Sequence, residues 1–118
     1  RDLHSFPTRR SSDLHIRLLF VNVADIDWIE AASYYACLHV GGDTHIIRRT
    51  LAELEQDLGE ATFVRIHRSI IVNLERIQGM ELQSGGEYEV VLKSDVRLRL
   101  SRRFRKRLQE RMEASVSR

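Results

Sequence analysis

The chain has 118 residues, with 19 Lys and Arg against 17 Asp and Glu and a formal net charge of +2 at pH 7. Its single cysteine excludes an internal disulfide. The sequence shows neither an apolar run long enough to span a membrane nor a signal peptide, which predicts a cytoplasmic location without membrane contact.

Residues 1–14 form the first segment, and they read like the translation of a sequencing adapter. They contain the only proline of the chain and show neither helical nor strand periodicity. We therefore set them aside as an artefact. The native part is expected to be one domain over residues 15–118, large enough to bury a core, with an upstream domain missing.

The next segments have the composition of strands. Residues 16–23 are apolar, and residues 26–31 follow with Trp28 and Ile29 expected in the core. Residues 34–40 form a further predicted strand.

That strand ends at the turn signal Gly41-Gly-Asp-Thr44, and residues 45–50 are its predicted hairpin partner. Tyr34 and Tyr35 would alternate across the strand, so one of the two is expected in the core. Cys37 is expected to be a small buried apolar residue.

A helix is predicted where the apolar period changes at residue 50. Thr50 can cap the helix, and Glu53 lies where it can return the hydrogen bond of a capping box. Gly59 would end the helix. The apolar residues at helical spacing are Leu51, Leu54 and Leu58.

The second half alternates short strands and turns before a second helix. Predicted strands cover residues 63–66, 77–82, 88–93 and 96–101, whereas residues 68–73 fit either a helical turn or a strand. Helical spacing then places Phe104, Leu108 and Met112 as core anchors. No internal repeat is visible. The predicted fold class is mainly β with short helices, that is α+β.

Charge is distributed unevenly along the chain. Residues 15–60 contain three arginines against eight acids, whereas residues 61–118 contain thirteen Lys and Arg against seven acids. This asymmetry suggests a polyanion-binding face, although a solvated basic surface is the simpler explanation of the charge alone.

Two segments concentrate the cations among apolar anchors, namely Phe63-Val-Arg-Ile-His-Arg-Ser-Ile-Ile-Val-Asn-Leu74 and Leu100-Ser-Arg-Arg-Phe-Arg-Lys-Arg-Leu108. Arginine presents a planar fork of donors that can grip guanine O6 and N7 together, or a phosphate. This chemistry suits nucleic acid. The side chains suited to phosphates are Arg65, His67, Ser69, Arg97, Arg99, Lys106 and Arg107.

Structural roles compete with several of these assignments. Arg68 could pair with Glu75 at the surface, and His67 could be a half-buried structural histidine. Asn73 is expected to satisfy nearby backbone groups, and Ser101 is expected to cap the second helix.

Other classes of function have less support. His67 and Ser69 lack an orienting acid and an oxyanion hole at recognisable spacing, and the histidines and cysteine form no metal-ligand spacing. The chain is therefore expected to be neither an enzyme nor a metal or cofactor protein. A non-specific RNA-binding or polyanion-binding module is the alternative, but only Phe63 and Phe104 lie in the basic segments for stacking on bases. A protein-interaction domain would leave the clustered arginines unexplained.

The two basic segments, together with Ile26-Asp-Trp-Ile-Glu-Ala and Thr50-Leu-Ala-Glu-Leu upstream, resemble the LytTR family of bacterial DNA-binding domains. The resemblance covers residues 16–112. It implies an elongated β-β-β arrangement of antiparallel strands whose loops enter major grooves of double-stranded DNA. It also implies two copies on direct repeats, and in many members an N-terminal receiver domain that makes the protein a response regulator.

The resemblance assigns base contacts to three places. Arg68 follows the motif histidine, and Arg102 and Arg103 compete for one reading position at the start of the last helix. The turn at Ser33 and Tyr34 corresponds to the first DNA-contacting loop, with Tyr34 at the bases and Ser33 at a phosphate.

Overall fold

The computed structural model describes residues 5–10 and 18–116. The strands in these ranges are β1 (Ser5–Arg10), β2 (Leu18–Asn22), β3 (Trp28–Ala32), β4 (Tyr35–Val40), β5 (Asp43–Ile47), β6 (Phe63–His67), β7 (Ile70–Asn73), β8 (Ile77–Leu82), β9 (Tyr88–Leu92) and β10 (Arg97–Leu100). The α-helices are α1 (Leu51–Leu58) and α2 (Arg102–Val116), and 3-10 turns lie at Val23–Asp25 and Leu74–Arg76.

The strands form two antiparallel sheets. The larger sheet has the order β2-β1-β5-β4-β3-β7-β6, and the smaller has the order β10-β9-β8. The molecule is elongated, with principal extents of 44 × 32 × 23 Å. The predicted fold class, mainly β with short helices in a LytTR-type antiparallel arrangement, is thereby confirmed.

Both faces of the larger sheet are covered at β3 and β7. Side chains alternate across a strand, so Ile29 and Ile71 face the cluster under α1, whereas Trp28 and Val72 face the cluster shared with the smaller sheet and α2. Leu108, which is completely buried, fixes α2 in the second cluster, and Phe104 and Met112 pack around it as predicted.

The predicted start and end of α1 are confirmed. The Thr50 hydroxyl accepts from the Glu53 N–H at 3.1 Å, and the Glu53 carboxylate accepts from the Thr50 N–H at 2.9 Å. These bonds satisfy donors that the first helical turn leaves free. The Gly59 N–H closes the helix on the carbonyl of Glu55.

The same order of elements occurs twice in the chain, a structural repeat that is not visible in the sequence. A 3-10 turn, three strands and a helix occur twice, first from Val23 to α1 and again from Leu74 to α2. Each copy opens on a capping asparagine, with Asn22 accepting from the Ala24 N–H and Asn73 accepting from the Glu75 N–H. The copies share little more than Val-Asn and Ile at equal spacing, which hides the repeat in the sequence.

Two further expectations need correction. Residues 5–10 form β1 between β2 and β5, although no strand was predicted there. Strand pairing uses backbone groups, so it does not require side-chain alternation. Residues 1–4 and 11–14 lie outside the described ranges, and the origin of residues 1–14 stays a prediction. Cys37 is only partly buried, and burial followed by the charge of Glu30 raises the pKa of its thiol.

Candidate nucleic-acid interface

A groove of about 600 Å³ brings the two basic sequence segments together. Its walls are the β6–β7 turn, the β8–β9 turn and the junction between β10 and α2. The Ser101 N–H donates to the carbonyl of Ile66 at 2.9 Å, which holds the start of α2 against β6. Residues separated by more than thirty positions in the sequence, such as Arg68 and Arg102, therefore line one groove.

The groove is strongly cationic. The arginines that line it are Arg68, Arg99, Arg102, Arg103 and Arg105, whereas Glu87 is the acid of the described lining. Arg68, Arg102 and Arg103 are exposed, and none of the three forms an ion pair within the described part of the chain. The alternative pairing of Arg68 with Glu75 is not formed. These three side chains can therefore bind a ligand without first breaking an ion pair of the described structure.

The β3–β4 turn lies beside the β6–β7 turn. The Ala31 N–H donates to the carbonyl of Ser69 at 2.8 Å, which brings the two turns to the same edge of the larger sheet. Tyr34 is 77% exposed and Tyr35 is 45% exposed, so the expectation that one tyrosine is core is wrong. Tyr34 belongs to the turn rather than to the strand, and Ala36 takes the first fully buried position.

His67 and Ser69 are joined to each other across the β6–β7 turn. The Ser69 N–H donates to His67 Nδ1 at 3.2 Å, and the Ser69 hydroxyl lies 2.9 Å from the same nitrogen. Burial, and then the charges of Arg99, Arg68 and Arg65, lower the pKa of His67. Because Nδ1 accepts from a backbone N–H, the neutral ring carries its proton on Nε2, which can donate to a ligand oxygen.

Four of the predicted phosphate contacts already have acidic partners. Arg65 pairs with Glu55, Arg99 with Glu87, Arg97 with Glu81 and Glu89, and Arg107 with Glu55 and Glu60. Arg97 and Arg99 share the exposed face of β10, as the period of a strand requires, but only Arg99 lines the groove. Lys106 is exposed on α2 and has no ion pair within residues 18–116. Among the cations predicted to contact phosphates, the four arginines thus have acidic partners, whereas Lys106 has none in the described part of the chain.

Several residues of the groove were missing from the predicted site, among them Arg105, Tyr88, Glu87 and the two glycines of the β8–β9 turn. The Arg105 guanidinium lies over the ring of Tyr88 at 4.9 Å, a favourable contact between a cation and an aromatic face. Glu87 reaches Arg99 at 2.9 Å. Gly85 and Gly86 lie in the turn between β8 and β9, and only the register that sets Leu100 opposite Tyr88 shows that this turn faces the basic helix.

Metal sites and membrane-spanning helices are absent from residues 5–10 and 18–116. No three metal-ligating side chains come together there. No helix in the same ranges is long and apolar enough to cross a membrane.

Comparison with known proteins gives a consistent result. The family model described as the LytTr DNA-binding domain matches residues 16–113. The chain is 27% identical over 93 residues to the sensory transduction protein LytT of Bacillus anthracis, covering 79% of this chain and 38% of that protein. It is 28% identical over 100 residues to the transcriptional regulatory protein BtsR of Escherichia coli, covering 81% and 39%.

A solved structure of a LytTr DNA-binding domain from Bacillus cereus superposes with a TM-score of 0.81 at 19% identity. The match covers 94% of this chain and 98% of that one, so the two share a fold. The chain spans about two-fifths of the length of the LytT and BtsR proteins that it matches.

Proposed function

The chain belongs to the LytTr family of DNA-binding domains, and from this premise we propose that it recognises a specific double-stranded DNA sequence as the output domain of a bacterial transcriptional regulator. The observation that carries the proposal is the groove in which Arg68, Arg102 and Arg103 lie together without acidic partners in the described structure. Free arginine forks on the β6–β7 turn and at the start of α2 can read two points along a major groove.

The proposed contacts lie in the groove, on the β6–β7 and β3–β4 turns at its edge, and at the exposed Lys106 of α2. Arg68 and one of Arg102 and Arg103 are proposed to contact base edges, and Tyr34 is proposed to reach bases from the neighbouring turn. Phosphate contacts are proposed for Ser33, His67, Ser69, Arg99 and Lys106. The phosphate contacts fix the register of the protein on the duplex, whereas the base contacts supply the sequence preference.

The larger assembly is also part of the proposal. LytT is named a sensory transduction protein and BtsR a transcriptional regulatory protein, and both are more than twice as long as the matched region. We propose that the full-length protein is a cytoplasmic response regulator with an upstream receiver domain. Two copies are proposed to bind a pair of direct repeats.

Selection of random duplex DNA by the purified full chain at near-physiological salt tests the proposal. Enrichment of a spaced direct repeat is the expected result, with log affinity falling against log salt at a slope of about −4 to −5 for roughly four to six phosphates. Binding that is lost in salt without enrichment of any sequence would refute sequence recognition.

One observation favours the alternative of RNA binding. Tyr34, 77% exposed beside the Arg68 turn, is an aromatic surface of the kind on which unpaired bases stack. Competition between the selected duplex and single-stranded RNA of mixed sequence separates the two functions. Displacement of the duplex at equal RNA concentration would support the RNA function.

A further inference from the structure

The Arg65 side chain holds the β6–β7 turn by hydrogen bonds to its backbone carbonyls. Its Nε donates to the carbonyl of His67 at 3.3 Å, and its Nη2 donates to the carbonyl of Arg68. Its Nη1 donates to Glu55 Oε1 on α1 at 2.9 Å. The side chain is only 19% exposed. All three nitrogens of the guanidinium therefore have protein acceptors, and two of the acceptors belong to the turn that carries Arg68.

Glu55 is shared between this turn and α2. While Oε1 accepts from Arg65, Oε2 lies 3.7 Å from Nη1 of Arg107. Arg107 also donates to Glu60, whose other oxygen lies 3.7 Å from Nη1 of Arg111. One network of alternating charge thus joins the β6–β7 turn, α1 and the middle of α2.

The network connects the two elements that present the free arginines of the groove. Arg68 follows β6 directly, and Arg102 and Arg103 open the helix that Arg107 anchors. A bidentate arginine contact tolerates little displacement, because both donors must meet fixed acceptors on one base. Any change in the distance between the turn and α2 would move one reading arginine relative to the other.

We propose that Glu55 and Arg65 are positioning residues that set the spacing between Arg68 and the Arg102–Arg103 pair on DNA. Arg65 and Arg107 accordingly act through the network rather than as phosphate contacts. The proposal rests on the DNA-binding function proposed above. It assigns a role to Glu55, the acidic residue that lies between Arg65 and Arg107.

Substitution of Glu55 distinguishes positioning from phosphate contact by the sign of its effect. If Arg65 and Arg107 bound phosphates, removal of the carboxylate would free them, and affinity for every duplex would rise. If Glu55 positions the readers, Glu55→Gln lowers affinity for the selected duplex by about tenfold or more, while binding to random duplex stays level or rises. Glu110→Gln is the matched control, because it removes the same charge from an exposed residue of α2 that has no ion pair in the described chain.

A second variant keeps the charge and changes only the geometry. Arg65→Lys retains a cation but cannot span two carbonyls and a carboxylate at once. The expected result is a loss for the selected duplex comparable to that of Glu55→Gln, with the salt slope unchanged. Near wild-type affinity for the selected duplex would overturn the proposal, as would equal effects of Glu55→Gln and Glu110→Gln.

Amide hydrogen exchange provides a measurement that does not depend on DNA. Both variants are expected to speed exchange at the Ser69 N–H, while the amides of β9 keep wild-type rates. If the wild-type chain selects no sequence but the variants loosen this turn, the proposed function fails and the structural coupling stands. If exchange in the turn is unchanged in both variants, the positioning role is wrong whatever the DNA result.

Discussion

Substitution of Asn73 by alanine is predicted to destabilise the domain far more than the same change at Asn22. Both side chains cap a 3-10 turn in equivalent positions of the internal repeat, with Oδ1 accepting at 2.9 Å from Glu75 and at 3.1 Å from Ala24. Only Asn73 is buried, with 1% of its surface exposed. Its Nδ2 also donates to the carbonyl of Ile26 at 2.9 Å, 47 residues away in the sequence.

The expected magnitudes follow from these contacts. Asn22→Ala removes one exposed hydrogen bond and should lower the free energy of unfolding by about 1 kcal/mol. Asn73→Ala removes an equivalent bond and leaves the buried carbonyl of Ile26 without its donor, which adds about 1–3 kcal/mol. The total loss is therefore about 2–4 kcal/mol. Each kcal/mol corresponds to about 4–8 °C in Tm for a domain of this size.

Thermal and urea denaturation of the two variants measure the difference directly. Asn73→Asp serves as a third variant, because it keeps the capping oxygen but loses the donor to Ile26, and it should be at least as unstable as Asn73→Ala. Equal losses for Asn73→Ala and Asn22→Ala would refute the reasoning, since the cap alone would then account for both. The variants should retain DNA affinity at temperatures where they are folded.

The remaining predictions concern binding, pH and packing. Arg103→Ala should cost about 1–3 kcal/mol on the selected duplex and flatten preference at one base position, whereas Lys106→Ala should weaken all duplexes alike, as titrations on single-base variants will show. Burial and then the charge of Arg99 lower the pKa of His67 below its ordinary value of 6.5. The folded state therefore binds this proton less readily than the unfolded state, and the free energy of unfolding should fall as the pH drops below about 6.5. The His67→Gln variant lacks this titrating group, so its free energy of unfolding should change less with pH than that of the wild type. Leu108→Ala should cost about 2–5 kcal/mol in urea denaturation, because the side chain is fully buried in the cluster that holds α2.

The features that could be predicted from the sequence are those with local causes. The capping box of Thr50 and Glu53 depends on residues three apart, and the outward alternation of Arg97 and Arg99 depends on the strand period alone. The structural role of Asn73 was also predicted correctly. Its acceptor, the carbonyl of Ile26, could not be identified because the contact depends on how the two repeats pack together.

The features that the sequence left hidden depend on contacts between distant segments. Arg65 and Arg107 were predicted as phosphate contacts because they are arginines in the basic segments. Only the folded chain shows that Glu55 lies between them. Tyr34 was misjudged by one position, because the strand begins at Tyr35. A shift of one residue decides whether a side chain belongs to the core pattern or to a turn.

The turn between β3 and β4 separates the residue that determines its shape from the residue that it displays. Ser33 has a positive φ of 61°, as the first loop residue of a type II′ hairpin turn does, and Tyr34 follows with its side chain in solvent. Ala32 and Tyr35 pair on either side and hold the loop to two residues. A single codon change at position 34 can therefore alter the displayed chemistry while the backbone keeps its path. Given the base contact proposed for Tyr34, a substitution at this position is a route by which DNA preference can diverge without refolding of the domain.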